Sequence, residues 1–305
     1  MAALADMFAS TRPRRSARGL SGYLFIAPAL ALACCLIVLP LVAVLFFSLT
    51  DYTLAAVEFS FVGFQNYASA FTEPGLRVAL TNTLLYVGVV VPCAVALGLL
   101  IALLVHERGR SRRFYEIAFF LPVTGTMVAM AVVWQYLLHG RIGPLNAVLS
   151  GLGFERVDFL TDPDAALYAI AAIGIWQLTG FAMVLFLAGL TAIPRDIYEA
   201  ASVDGADGGF DRFWRITLPL LGPTMLFVTI TCSITAFQVF DTVAVLTRGG
   251  PMKSTEVLLY TVYLEGFQYF EIGRASALIT LFLAFILLFS LLQIFVAERR
   301  TFYGG

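Results

Sequence analysis

The segment IPRDIYEAASVDGADGGFDRFWRITLPLL, residues 193–221, lies between two long apolar runs and predicts two short helices joined by a turn. Pro194 suits the first turn of the first helix. Gly205 ends that helix, because a residue without a Cβ readily adopts the left-handed conformation that stops a helix. The DGG stretch at 207–209 predicts the turn, and the apolar spacing of residues 210–216 predicts the second helix.

Six apolar runs surround this loop and place it in a membrane protein. The chain of 305 residues is 60% hydrophobic and 13% charged, which leaves too few polar side chains to cover a soluble globule. A helix needs about 20 apolar residues to cross a bilayer core. The predicted spans are Tyr23–Ser48, Leu76–Val105, Ile117–Leu138, Ala165–Leu190, Leu221–Leu246 and Ile272–Val296. The sequence therefore predicts an all-α membrane protein with six transmembrane helices.

The positions of Lys and Arg orient these spans, since short cytoplasmic loops accumulate positive charge. Thirteen of the 19 basic residues lie on the side of the two termini, which is also the side of the 193–219 loop. The others are Arg77, Arg141, Arg156, Arg248, Lys253 and Arg274. We therefore predict that both termini and the loop are cytoplasmic.

The first predicted helix of the loop has the composition of a contact surface. Ala200 and Ala201 allow another backbone to approach closely, and Glu199 offers a charge to a basic partner. This composition favours a knob that enters a cleft of another protein.

At these residues the loop resembles the cytoplasmic loop of binding-protein-dependent ABC importer permeases. The residues that carry the resemblance are Glu199, Ala200, Ala201, Gly205, Ile216, Leu218 and Pro219. The segment FQVFDTVAVLTRGGPMKSTEVLLYTVYLEGF, residues 237–267, also resembles the fifth span and following loop of maltose-type carbohydrate permeases. The similarity extends from Tyr23 to Arg300.

The resemblance implies a type I ABC importer permease fold with a cytoplasmic coupling helix that sits in a groove of an ATPase subunit. It assigns the ATPase contact to Glu199, Ala200, Ala201, Asp204 and Gly205. The implied partners are a second homologous permease subunit, an ATPase subunit dimer, an extracytoplasmic substrate-binding protein and membrane lipid, with no nucleic acid. The expected location is the bacterial inner membrane.

The same resemblance divides the chain into three parts. Residues 1–22 form a cytoplasmic N-terminal segment, 23–297 the permease domain and 298–305 a cytoplasmic tail. One departure from the family pattern is that ten residues, rather than nine, separate Gly205 from Ile216. We expect the adjacent glycines at 208 and 209 to accommodate the extra residue in the turn. Which face of the second short helix contacts the ATPase therefore stays open.

The sequence holds no nucleotide site or catalytic constellation of its own. It has no GxxxxGK[ST] phosphate loop, so we expect no cofactor and expect ATP to be bound by the partner ATPase. No HExxH or GxSxG pattern occurs, and the two histidines, His106 and His139, lie at opposite membrane faces. The four cysteines show neither CxxC spacing nor a nearby histidine cluster, so neither a disulfide framework nor a metal site is predicted. The prediction is a transport subunit rather than an enzyme.

Polar side chains inside spans are the candidates for the substrate pathway, because they are unfavourable in lipid unless they face a cavity or another helix. The candidates are Trp176 and Gln177 in the fourth span, Phe237, Gln238, Phe240 and Asp241 in the fifth, and Asn82 in the second. Amides and carboxylates beside aromatic rings suit a hydroxyl-rich sugar. The alternative for each polar residue is a hydrogen bond that only holds two spans together.

Four functional hypotheses stay open at this point. The leading hypothesis is import of a carbohydrate or related polyol, and glycerol phosphate derivatives are a second substrate class. The scarcity of basic residues in the spans disfavours a phosphorylated substrate. An ion-coupled secondary carrier should have intramembrane ionisable pairs or broken helices, of which the sequence shows little apart from Asp241. An intramembrane enzyme lacks a catalytic constellation.

Overall fold

A computed structural model describes residues 17–56, 58–203, 205 and 209–298, and their regular structure is helical. Helix α1 covers residues 17–47 and contains a π-helical turn at Cys34–Val38. The other helices are α2 (Gln65–Thr72), α3 (Pro74–His106), α4 (Arg112–Thr124), α5 (Met127–Leu137), α6 (Pro144–Gly151), α7 (Pro163–Ala192), α8 (Arg195–Val203), α9 (Gly209–Leu220), α10 (Gly222–Phe237), α11 (Leu258–Tyr263) and α12 (Ile272–Glu298).

Four of these helices, α1, α3, α7 and α12, are each long and apolar enough to cross a membrane. The pairs α4–α5 and α9–α10 give up to six candidate spans if each bent pair counts as one. Each predicted span falls on one of these six elements. The prediction of an all-α membrane protein is confirmed.

The third span departs from the straight helix predicted over Ile117–Leu138. α4 and α5 meet at 99°, and Gly125 and Thr126 between them have extended backbone with ψ of 149° and 137°. Pro122 lacks one helical donor, and Gly125 has no side chain to favour a helical conformation. Both effects weaken the helix at this point, so the span breaks.

The fifth span, predicted as one helix over Leu221–Leu246, is also broken. α10 ends at Phe237, residues 238–240 are not helical, and helical backbone resumes at Asp241 and ends in a π-helical turn at Val243–Thr247. Non-helical backbone at membrane depth is tolerated only where protein covers it or where it lines a cavity. The break therefore points to a cavity beside residues 238–240.

The core of the chain lies between α3 and α7. Gly98 on α3 faces Ala182 on α7 so closely that a Cβ added at Gly98 would lie 2.6 Å from the Ala182 Cβ. Such small-residue contacts let membrane helices approach each other. Phe186 and Met183 of α7 are fully buried beside this contact. These two helices form the buried centre against which α4 and α10 pack.

In contrast to α3 and α7, the first span is not buried: none of its most apolar stretch is covered by the rest of this chain. Its last part, Leu39–Phe47, packs against α12. Large apolar side chains such as Phe25, Leu36 and Ile37 are therefore free to contact lipid or another subunit.

Candidate functional site

The predicted coupling residues lie on and after α8, the short helix Arg195–Val203. Glu199 and Ala200 are exposed and Ala201 is half-buried. Gly205 has a φ of +85°, which confirms the predicted left-handed residue after the helix. Asp204 lies outside the described residues. α8 thus presents an acidic, small-residue surface outward.

Contacts with α9 hold α8 in place. The Tyr198 hydroxyl lies 3.3 Å from the Thr217 hydroxyl, and the Arg212 guanidinium lies 5.8 Å from the centroid of the Tyr198 ring. Beside them, Val203 and Phe210 have exposed fractions of 88% and 78%. Large apolar side chains left in the open at the end of a short helix are typical of a surface that a partner covers.

A second region of interest is a cavity of about 560 Å³ between α7, α10 and the break in the fifth span. Four of the predicted pathway residues line it together: Gln177, Gln238, Phe240 and Asp241. Gln238 is exposed, whereas Phe240 and Asp241 are half-buried. We call this space the central cavity.

Both broken spans border the central cavity. Gln238 follows the end of α10, and Met127 begins α5 directly after the break in the third span. Interrupted helices of this kind leave backbone groups free to bind a ligand at membrane depth. The cavity therefore lies beside both helix breaks and is lined by polar side chains.

Three other predicted pathway residues do not reach the central cavity. Trp176 turns to another side of α7, where its ring packs edge-on against Trp134 at 5.4 Å between centroids. Phe237 is 1% exposed. Its ring lies edge-on to two rings of α12, Phe285 at 5.3 Å and Phe289 at 5.0 Å. Both aromatic residues contribute to packing between helices.

Asn82 is the third of these residues. Its amide nitrogen donates to the backbone carbonyls of Lys253 and Glu256, at 3.0 and 2.9 Å. The adjacent Thr83 hydroxyl accepts a hydrogen bond from the Leu258 N–H at 2.9 Å. These two neighbours hold the loop before α11 against α3, which is the interhelical alternative considered from the sequence.

A polar cleft of about 600 Å³ lies at the other end of α5, and Gln135, His139 and Asp158 are among its lining residues. Its wall is held by Asn146, a residue that the sequence analysis did not single out. The buried Asn146 amide donates to the Val157 carbonyl at 2.9 Å and accepts from the Val157 N–H at 3.0 Å. The only sequence signal was one asparagine in the otherwise apolar PLNAVL stretch.

A cluster of charges at the start of α12 was also missed. Arg274 contacts Glu73, and it lies 3.4 Å from Glu265 and 3.9 Å from Glu271. Burial and the neighbouring carboxylates, Glu271 first, raise the pKa of Glu265 to about 7. No local spacing predicts this cluster, because Glu73 and Arg274 are 201 positions apart.

Within the described ranges, no three His, Cys, Asp or Glu side chains come together as a metal site. The chain does match a protein-family model over residues 94–301, and the description of that family is "Binding-protein-dependent transport system inner membrane component". The chain belongs to this family. It is the permease of a binding-protein-dependent ABC importer and a multi-pass inner-membrane protein.

Two relatives of this permease extend over nearly its whole length. The osmoprotective compounds uptake permease protein GgtC of Synechocystis is 35% identical over 92% of this chain and 98% of its own. The trehalose/maltose transport system permease protein MalF of Thermococcus litoralis is 34% identical over 92% of this chain and 94% of its own. The resemblance to carbohydrate permeases is thus confirmed.

A solved structure shares the fold of this permease. A chain of a bacterial alginate ABC transporter, determined with an alginate pentasaccharide-bound periplasmic protein, superimposes with a TM-score of 0.82 at 24% identity. The match covers 94% of this chain and 97% of that one. The predicted importer permease fold is confirmed, and the chain is a transport subunit rather than an enzyme.

One sequence-based argument against a secondary carrier needs correction. The sequence showed little sign of broken helices, whereas the third and fifth spans are both interrupted. Broken spans therefore do not distinguish an importer permease from a secondary carrier here. The sequence did not reveal the breaks, because a break in a span depends on tertiary packing that supports the freed backbone groups. The family match makes the distinction instead.

Proposed function

We propose that this permease imports a neutral carbohydrate or related polyol, which crosses the membrane by way of the central cavity. The observation that carries the proposal is that Gln177, Gln238 and Asp241 meet around one cavity beside a broken span. An amide both donates and accepts hydrogen bonds, and a carboxylate accepts several, so the set matches vicinal hydroxyl groups. The half-buried ring of Phe240 supplies an apolar face for a sugar ring.

The lining also bears on the alternative substrate class. No Lys or Arg occurs among the residues that line the central cavity in the described part of the chain. A phosphate dianion in a site of low dielectric needs cationic partners, most often arginine. Glycerol phosphate derivatives are therefore the less favoured substrate.

The proposed assembly contains a second homologous permease subunit, an ATPase dimer and an extracytoplasmic binding protein, with both termini of this chain in the cytoplasm. The first span supports the second permease subunit, because its apolar side chains are not covered by this chain. The acidic surface of α8 and the exposed Val203 and Phe210 support an ATPase contact. Glu199, Ala200, Ala201, Asp204 and Gly205 remain the proposed coupling residues.

In the proposed cycle, closure of the ATPase dimer moves α8 and the spans attached to it. α8 is tied to α9 through Tyr198 and Thr217. α9 continues into α10, and the end of α10 borders the central cavity. A displacement of α8 therefore switches the cavity between an outward-facing and an inward-facing state. The binding protein delivers the sugar when the cavity faces outward.

The test is ATP-driven uptake in proteoliposomes that contain the complete transporter and its loaded binding protein. The double substitution Gln177→Ala, Gln238→Ala removes two amides, and each lost hydrogen bond costs about 0.5–1.5 kcal/mol, so we expect ~5- to 150-fold weaker uptake at low substrate. Gln65→Ala is the matched control, because this glutamine is exposed on α2 and does not line the central cavity. Equal uptake by wild type and the double variant would refute the central cavity as the pathway.

The substrate class is tested separately with the cognate binding protein. Thermal-shift screening against neutral sugars, polyols and glycerol phosphate esters should give stabilisation by a neutral compound. Stabilisation by phosphate esters alone would overturn the substrate proposal without affecting the pathway. Uptake that proceeds without ATP would instead contradict the importer mechanism.

A further inference from the structure

Several helix ends meet around a cavity of about 340 Å³ beside α8. α3 ends there at His106, and α4 begins there at Arg112. Thr191 lies near the end of α7, Arg195 begins α8 and Arg212 belongs to α9. We call this space the joint cavity, because it lies where the spans meet the coupling helix.

The joint cavity carries an excess of positive charge. Its lining includes the guanidinium groups of Arg112, Arg195 and Arg212 but only one carboxylate, that of Glu107. Arg112 is compensated by Glu116, which accepts from its Nε at 2.7 Å. In the described part of the chain, neither Arg195 nor Arg212 forms an ion pair within 4 Å. Two guanidinium groups at this cavity therefore have no paired carboxylate among the residues that the structure describes.

Two polar atoms at the joint cavity are buried without a partner. Among the described residues, neither the Nε of Arg212 nor the Nδ1 of His106 has a hydrogen-bond partner, although both atoms are shielded from solvent. The Arg212 guanidinium lies over the Tyr198 ring, and this position limits its contact with solvent. A buried guanidinium donor without an acceptor, such as the Nε of Arg212, is unfavourable. The cavity therefore supplies donors and positive charge but too few acceptors.

We propose that the joint cavity binds a phosphate-type oxyanion. A tetrahedral phosphate offers several acceptor oxygens, and the planar fork of arginine is suited to them. The volume admits one phosphate group, with any organic remainder extending outside. Two sources carry this chemistry: phosphate or a phosphate ester in the aqueous phase, and the headgroup of an anionic phospholipid at the membrane surface.

A bound oxyanion would link the helices that transmit motion. Contacts to Arg195 on α8 and Arg212 on α9 fasten the coupling helix to the base of the fifth span, in addition to the bond between Tyr198 and Thr217. Binding of the oxyanion then strengthens the mechanical connection between α8 and the fifth span. This site lies away from the central cavity, and the inference does not rest on the proposed substrate.

The experiment measures binding to the full chain in two arms. In the first, delipidated protein in detergent is dialysed against ³²P-orthophosphate. In the second, the chain is taken from phosphatidylcholine nanodiscs doped with phosphatidylglycerol, and retained phosphatidylglycerol is counted by native mass spectrometry. Arg212→Gln is the main variant, and Arg195→Gln is a second one at an exposed position, where folding is not at risk. Arg215→Gln is the matched control, because Arg215 lies on the same helix, pairs with Asp211 and does not line the cavity.

We expect about one ligand per chain in at least one arm, with the arm identifying the source. Each cavity variant should weaken binding by ~10-fold or more, because one charge-assisted contact is lost, whereas Arg215→Gln should leave it unchanged. Absence of saturable binding in both arms would overturn the proposal. So would an equal loss in Arg215→Gln, since that result would indicate unspecific attraction to basic side chains.

Discussion

The side-chain amide of Asn82 on α3 donates a hydrogen bond of 2.9 Å to the backbone carbonyl of Glu256, 174 positions later in the chain. A second bond from the same nitrogen reaches the Lys253 carbonyl at 3.0 Å. One amide thus fixes the loop that connects the fifth span to α11. Asn82 therefore stabilises the contact between α3 and this loop. Its substitution should affect stability, whereas substitution of a pathway residue should affect transport.

Asn82→Ala should lower the stability of the permease by about 1–3 kcal/mol, because two carbonyls lose their donor. The apparent affinity for substrate in those molecules that fold should stay unchanged. Thermal unfolding of the purified complex and the KM for uptake measure the two effects. Thr81→Ala is the control, since the Thr81 hydroxyl bonds only to the Arg77 carbonyl of its own helix. A raised KM with unaltered stability would contradict this assignment.

Gly98→Ala should destabilise the contact between α3 and α7. The added Cβ would lie 2.6 Å from the Cβ of Ala182 and 3.1 Å from the backbone nitrogen of Met183, so one helix must shift. Overpacking of this kind costs about 1–3 kcal/mol. Gly88→Ala on the same helix is the matched control, because a Cβ there meets nothing within 4 Å. Unfolding midpoints in detergent compare the two, and equal midpoints would show that the helices adjust freely.

Glu265→Gln should change how the stability of the permease depends on pH. The pKa of Glu265 is raised to about 7 from its ordinary value of 4.5, so the folded state binds this proton more tightly than the unfolded state. The free energy of unfolding therefore decreases as the pH rises from about 4.5 through 7, as Glu265 ionises beside Glu271. The glutamine variant should lose this decrease.

The measurement for Glu265 is the unfolding midpoint of wild type and variant at pH 5, 6, 7 and 8. The advantage of the variant should grow across this range and level off above about pH 7. Glu155→Gln, at an exposed position in the loop after α6, serves as control and should follow wild type. An advantage that is greatest at pH 5 would contradict the raised pKa.

Glu199→Lys should weaken the proposed attachment of the ATPase. Reversal of an exposed charge on α8 replaces attraction to a basic groove with repulsion, and close interfacial charge pairs contribute about 1.5–7 kcal/mol. The yield of ATPase that co-purifies with the permease should fall ~10-fold or more. The same reversal at Glu155 is the control, since that residue lies far along the chain from the loop. Full retention of the ATPase by the Glu199 variant would count against the proposed contact.

The sequence predicted the membrane spans and the two short helices of the 193–221 loop because both depend on neighbouring residues. Transfer of a helix into lipid is a sum over about 20 consecutive side chains, so the composition of a window reveals it. The left-handed turn at Gly205 likewise follows from one residue that lacks a Cβ. The family resemblance was visible for the same reason, since its motif lies within residues 199–219.

Only the tertiary structure decided where the spans break and which polar side chains share a cavity. Gln177 and Gln238 meet at the central cavity, whereas Phe237, one residue away from Gln238, packs against α12. Whether a polar residue faces a cavity or a neighbouring helix depends on rotations of separate helices, which no local pattern records. The same holds for Arg274 and Glu73, which contact each other across 201 positions. Interactions between neighbouring residues determine the helices, whereas contacts between residues distant in the sequence determine the central cavity and its lining.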